Sequence, residues 1–161
     1  MEKAVEEIPA DELITLLLRA SLSSEALAAG SRLAAQVDEV RTWLARQGYI
    51  KLASSDGGAH YATIDFTAAL AELPGFRRDP RQSPLSRSAI DVIAFAGSLA
   101  GSGSVTLRSS CNFDETSVKY VAEAIMYAAG FMDGAADPTA NDPGDGGLNS
   151  RAHDALLEEL F

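Results

Sequence analysis

The sequence predicts a mainly helical α+β chain with one β-hairpin and a separate helix at its C-terminal end. Three observations carry this. Apolar residues recur at spacings of three and four through most of the chain. Residues 49–66 alternate instead, around an Asp56-Gly57 pair. A Gly-, Asp- and Pro-rich tract, residues 133–147, sets the last amphipathic run apart from what precedes it.

Pro9-Ala10-Asp11-Glu12 opens the first helix with acids at the positive end of the helix dipole, and Leu13, Leu16, Leu17 and Ala20 form its apolar stripe. Ser24 caps a short helix, Glu25 to Ala29, that the pattern ends at Gly30, with a break at Ser31-Arg32. A longer helix then carries Leu33, Val37, Val40 and Leu44 on one stripe with Trp43 beside it, and stops at Gly48, where glycine tolerates the left-handed conformation. Tyr49 to Leu52 and Tyr61 to Phe66 read as the two strands of the hairpin. Residues 67–73 read as a short helix. Pro74, Pro80 and Pro84 then interrupt regular structure, and residues 74–86 are the expected linker.

The second half opens with a helix from Ser88 to Ala100, rich in Ala, Gly and Ser, which suits a central, closely packed element. Gly101-Ser102-Gly103 ends it, and Ser104 to Arg108 alternates as a short strand. Asn112 and Asp114 compete to cap the next helix. That helix is expected to place Val118, Val121, Ala122, Ile125, Met126 and Ala129 on one face and to end at Gly130. The last helix follows Asn149-Ser150, with Ala152, Leu156, Leu157 and Leu160 as its apolar face. The expected organisation is a first unit over 1–73, the Pro/Arg-rich linker 74–86, a second helical unit over 87–132, and a Gly/Asp-rich segment with the C-terminal helix over 133–161.

Composition narrows the classes of function. Apolar residues at 47% and charged residues at 22% are ordinary for a folded chain, which argues against disorder. The net charge is −10. Residues 1–80 carry 8 basic and 12 acidic side chains, and residues 81–161 carry 5 and 11, so neither half is basic. Nucleic-acid affinity comes largely from releasing counterions from phosphates, and the field of an anionic surface opposes that approach. The one cysteine, Cys111, allows neither an intrachain disulfide nor a zinc knuckle. The N-terminus lacks the basic start and apolar run of a secretory signal, and no apolar run is long enough to span a bilayer. A cytoplasmic location is the expectation.

Two stretches share a pattern. Trp43-Leu44-Ala45-Arg46-Gln47-Gly48-Tyr49-Ile50 and Ile125-Met126-Tyr127-Ala128-Ala129-Gly130-Phe131-Met132 each end a helix at glycine, followed by an aromatic and an aliphatic residue. Over residues 11–66, the order of helix, short helix, longer helix and hairpin resembles the winged helix-turn-helix superfamily, and Ala26-Leu27-Ala28-Ala29-Gly30 fits the Ala-x-x-x-Gly spacing of its turn. Residues 86–147 resemble a degenerate second copy, which makes the expected architecture two tandem winged-helix-like units. The resemblance implies that the helix beginning near Arg32 enters a DNA groove, with Arg32, Gln36, Arg41 and Arg46 as contacts. Asp38 and Glu39 on the same helix would repel phosphate, and a mixed-charge solvated face or a protein-binding face accounts for these residues better.

Other chemistry-bearing residues form no recognisable site. Arg77, Arg78, Arg81 and Arg87 are the chain's basic concentration, and they suit a soluble loop. Gly101-Ser102-Gly103-Ser104 lacks the lysine and the strand-to-helix context of a phosphate-binding loop. Cys111, His60 and His153 are joined by no local nucleophile-base motif. Asp137, Asn141, Asp142 and Asp145 depart from the ligand order of a calcium loop. No catalytic residue, metal ligand or cofactor is therefore assigned. The reading is a non-enzymatic regulatory or adaptor protein that binds a protein partner or a second copy of itself, with Leu156, Leu157 and Leu160 as anchors in a groove. The alternatives are a DNA-binding transcriptional regulator, which the net charge disfavours, and an enzyme whose groups converge only in space.

Overall fold

The computed structural model describes residues 5–22, 24–55, 57–105 and 112–131. After a 3-10 turn at Val5–Glu7, the elements are α1 (Ala10–Ala20), α2 (Glu25–Gln36), α3 (Asp38–Arg46), β1 (Ile50–Ser54), β2 (His60–Ile64), α4 (Phe66–Arg78), α5 (Arg87–Leu99) and α6 (Glu115–Ala128). The mainly helical fold with one hairpin agrees with the sequence reading. None of the described helices is long and apolar enough to cross a membrane.

The region of α2 and α3 differs from the expectation. Ser24 does cap the helix, its hydroxyl accepting from Leu27 N at 3.2 Å. The helix then runs through Gly30 and Ser31-Arg32 without a break and ends at Gln36. Gly30 is a close-approach glycine, since a β-carbon there would stand 2.4 Å from the Ala96 carbonyl oxygen of α5. The break falls at Val37, whose extended conformation (φ −90°, ψ 109°) closes α2 and opens α3. Arg41 stabilises this corner: its guanidinium donates to the Ala35 carbonyl at 3.0 Å, one of the carbonyls that the end of α2 leaves unpaired.

The hairpin is antiparallel, with register from Ile50 opposite Ile64 to Ser54 opposite His60. Asp65 N donates to the Tyr49 carbonyl at 2.8 Å and closes its base. Ile50 and Ala62 face the core, and β2 packs on α1. Asp65 then caps α4, accepting from Ala68 N at 3.0 Å.

The expected linker start at residue 74 is corrected, because α4 continues through Pro74 to Arg78. A proline inside a helix removes one backbone hydrogen bond and crowds the carbonyl four residues back. Contacts beyond it hold the final turn. Phe76 meets Trp43 edge-on at 5.8 Å, and Arg77 pairs with Asp91 at 3.0 Å.

Helix α5 is buried continuously from Ala89 to Gly97, as befits a helix apolar on all sides. Its partners include α2, α4 and α6. Buried side chains from both halves of the sequence, Leu33 and Val40 with Val92, Ile93 and Val121 among them, form one cluster. Ser104 and Val105 carry no regular structure, and the rest of the expected 104–108 strand lies outside the described residues.

The shared pattern at 43–50 and 125–132 has a local cause. At Gly48 (φ 73°) and Gly130 (φ 74°), glycine takes the left-handed conformation, and the following aromatic N–H reaches back to the carbonyl five residues earlier: Tyr49 to Leu44 and Phe131 to Met126, each at 2.9 Å. Gly101 (φ 78°) ends α5 in the same way, with Ser102 N donating to the Gly97 carbonyl at 2.8 Å. The pattern is a helix-ending device used three times.

Candidate functional site

Helix α6 is apolar on two sides. Asp114 caps it by accepting from Ser117 N at 2.7 Å. That backbone bond, reinforced by the Ser88 and Ser117 hydroxyls, holds the Asp114 carboxyl below the usual carboxylate range. Ser88 Oγ also donates to Ser117 Oγ at 3.2 Å and accepts from Asp114 N at 3.1 Å, which ties the start of α6 to the first turn of α5.

Along its length α6 runs antiparallel to α2. Gln36 donates to Glu123 at 3.4 Å, Arg32 lies over the Tyr127 ring at 5.9 Å, and a β-carbon at Gly130 would meet Glu25 Oε2 at 3.7 Å. The side toward the body consists of Ser117, Tyr120, Val121, Ala124, Tyr127 and Ala128, which are buried or half-buried. Ala124 and Ala128 are small side chains, and α2, which α6 contacts along its length, is itself rich in alanine. The single apolar face expected for this helix is thereby corrected. Val121 turns inward, whereas Val118, Ala122, Ile125, Met126 and Ala129 point to solvent.

The outward side is the least expected surface of the described structure. Val118 is 50% exposed, Ile125 47% and Met126 41%, and Phe131, just past the helix end, is 75% exposed. Residues 118, 122, 125 and 129 follow the spacing of one helical stripe. Glu115 in the first turn and Lys119 are the charged residues beside it. Contiguous exposed apolar side chains of this kind mark interaction sites, whereas scattered ones need no explanation.

A second concavity, about 750 Å³, lies between α1, the α2–α3 corner and the start of α6, lined in part by Ile14, Leu18, Arg32, Gln36, Arg41 and Tyr120. It brings together three of the four residues proposed as DNA contacts. Arg41 is held by the Ala35 carbonyl and by Asp38, at 3.0 Å and 2.5 Å. Arg32 rests on Tyr127 and Gln36 on Glu123. Arg46 stands apart, exposed on the last turn of α3 beside a different hollow. The exposed acids Asp38 and Glu39 flank the corner, and Glu39 accepts from Ser86 N at 2.6 Å and Ser86 Oγ at 2.7 Å.

A third feature was not apparent from sequence. Asp91, 2% exposed in the middle of α5, accepts from Arg77 at 3.0 Å and from Asn112 N and Nδ2 at 3.2 Å and 3.1 Å. It clips α4 and the approach to α6 onto the central helix. A hollow of about 450 Å³ beside it is lined by Phe76, Pro80, Leu85, Arg87 and Ile90, among others. Of the four arginines grouped by sequence, Arg77 is thus structural, whereas Arg78, Arg81 and Arg87 are exposed.

His60 sits on the hairpin, its Nδ1 2.8 Å from Ser54 Oγ. Among the described residues, no group of three or more His, Cys, Asp or Glu side chains is placed to hold a metal ion. Cys111, His153, Asp137, Asn141, Asp142, Asp145 and the anchors Leu156, Leu157 and Leu160 lie outside the described residues. No protein-family model, curated protein or solved structure matches the chain.

Proposed function

We propose that the protein is a regulatory or adaptor module that acts by docking an amphipathic helix onto the outward face of α6. One observation carries this reading: Val118, Ala122, Ile125, Met126 and Ala129 form an exposed apolar stripe on a helix whose opposite side is already packed. A helix-on-helix contact is the binding mode that such a stripe suits, because it presents side chains at the spacing that a partner's own stripe can interleave. The negative net charge and the engagement of Arg32 and Arg41 within the fold support a protein partner over a nucleic acid.

The test uses the full chain and its Ile125→Lys variant as baits in extract of the native host at low salt, with nuclease added to parallel samples. Ile125 is on the surface, so the substitution is expected to change stability by no more than about 0.5 kcal/mol. The expected outcome is a protein retained by the wild type after nuclease treatment and lost with Ile125→Lys. Identical retained sets, or retention that disappears with nuclease, would remove the reading.

A further inference from the structure

We infer that a second copy of this chain docks on the outward face of α6, its own α6 lying antiparallel across a twofold axis. This assignment rests on the reading of that face as a docking surface and names its occupant. The exposed apolar side chains gather at one place. Among the described residues the large ones are Leu22, Val118, Ile125, Met126 and Phe131. Four of these belong to α6 or lie just past its end. Leu22 stands three residues before Glu25, whose carboxylate adjoins Gly130 at that same end.

The order of sizes along the stripe selects the partner. Val118, Ala122, Ile125 and Ala129 alternate large and small, at intervals of four, three and four residues. Those intervals are the same from either end. Across a twofold axis, an antiparallel copy sets its residue 129 against residue 118 and its residue 125 against residue 122. Every layer then joins one β-branched side chain to one alanine, so the separation of the two helices stays even along the contact. A parallel copy would stack valine on valine, alanine on alanine and isoleucine on isoleucine. Two straight helices cannot stand apart at 118 and 125 and close up at 122 and 129, so that arrangement leaves gaps at both alanine layers. The complement that this face needs is the face itself, which is the condition for an isologous contact.

The flank of the stripe agrees. Lys119 and Met126 are exposed on the same side of it. The antiparallel copy sets the Lys119 stem of one helix along Met126 of the other, while the ammonium stays in water. Each chain carries a net charge of −10, so the two bodies repel and apolar burial holds them together. Added salt screens the repulsion and is expected to strengthen the pair. One helix face, about 21 Å long, covers less than the roughly 800 Å² per partner of stable complexes, so dissociation in the micromolar range is expected.

The experiment is sedimentation equilibrium of the full chain, from about 5 to about 500 μM to span weak association, with variants that move volume within one layer. The wild type is expected to show a monomer–dimer equilibrium. Ile125→Ala opens a gap in two symmetry-related layers and is expected to raise Kd at least about tenfold. Ala122→Ile crowds the same layers against Ile125 of the second copy and is expected to raise Kd as well. Ala122→Ile combined with Ile125→Ala returns one large and one small side chain to each layer, and Kd is expected within about threefold of the wild type. A merely destabilised fold would not show this rescue. Tighter association with Ala122→Ile alone, or failure of the combined variant to recover, would overturn the antiparallel pairing. A chain that stays monomeric, or a dimer indifferent to all three variants, would overturn the self-contact. The comparison of baits then decides the docking face separately, by whether Ile125→Lys loses a partner of different sequence.

Discussion

Gly30 of α2 lies against Ala96 of α5 so closely that a β-carbon at residue 30 would stand 2.4 Å from the Ala96 carbonyl oxygen. The obstacle is the backbone of α5 in its last turn, within the buried run that ends at Gly97, so neither side can yield cheaply. Gly30→Ala is therefore expected to destabilise the fold by about 2 kcal/mol net, the strain outweighing alanine's better helix propensity. Urea denaturation measures this. An alanine variant more stable than the wild type would mean that α2 and α5 are farther apart than described.

Arg77 and Asp91 form an unequal pair. Asp91 is buried, whereas the Arg77 side chain is 46% exposed and can regain water if its partner is lost. Removing the arginine leaves a buried carboxylate with Asn112 as its remaining partner. Arg77→Ala is thus expected to cost about 2 kcal/mol and Asp91→Asn about half as much, by the penalty for a poorly compensated buried charge. A double-mutant cycle on thermal or urea unfolding gives both values and their coupling.

The phenol of Tyr49 donates to the Glu72 carboxylate. That bond, with burial and the Glu72 charge, pushes its pKa up to about 12 from an ordinary 10.0. The folded state favours the neutral phenol, so this contribution to stability is complete below pH 10 and is lost as pH rises toward 12. Absorbance titration of the four tyrosines is expected to show one that ionises about two units late. Glu72→Gln should bring it back toward the ordinary 10.0.

At the start of α6 the sign reverses. The Asp114 carboxyl is held low by the Ser117 backbone N–H, so it stabilises the fold at neutral pH and loses that role as pH falls through its lowered value. Asp114→Ala is expected to cost about 1 kcal/mol, the usual value of an N-cap. Asp114→Asn should keep most of the cap and remove its acid dependence, which denaturation curves across the acidic range would show.

Elements with a local signal could be read from the sequence. The α1 stripe, the hairpin of β1 and β2 and the glycine ends at 48, 101 and 130 are set by residues next to one another. Features that depend on distant partners could not. Gly30 looks the same in a sequence whether it makes a turn or admits a neighbouring helix, and the Val37 break carries no breaker residue. Asp91 read as an interruption in an apolar run because its partners come from residues 77 and 112. Helix α6 has apolar residues on both sides, so periodicity found the helix but could not say which side α2 would take. The outward stripe became visible only when the inward one was assigned.

The measurement closest to the central claim places p-benzoylphenylalanine at position 125 of the full chain in the native host and irradiates intact cells. Ile125 is the middle of the stripe, so an occupied docking face should yield covalent adducts to a partner polypeptide. Irradiation that leaves the chain without any polypeptide adduct, while a probe in a buried position such as Leu33 cross-links within the core, would contradict the account.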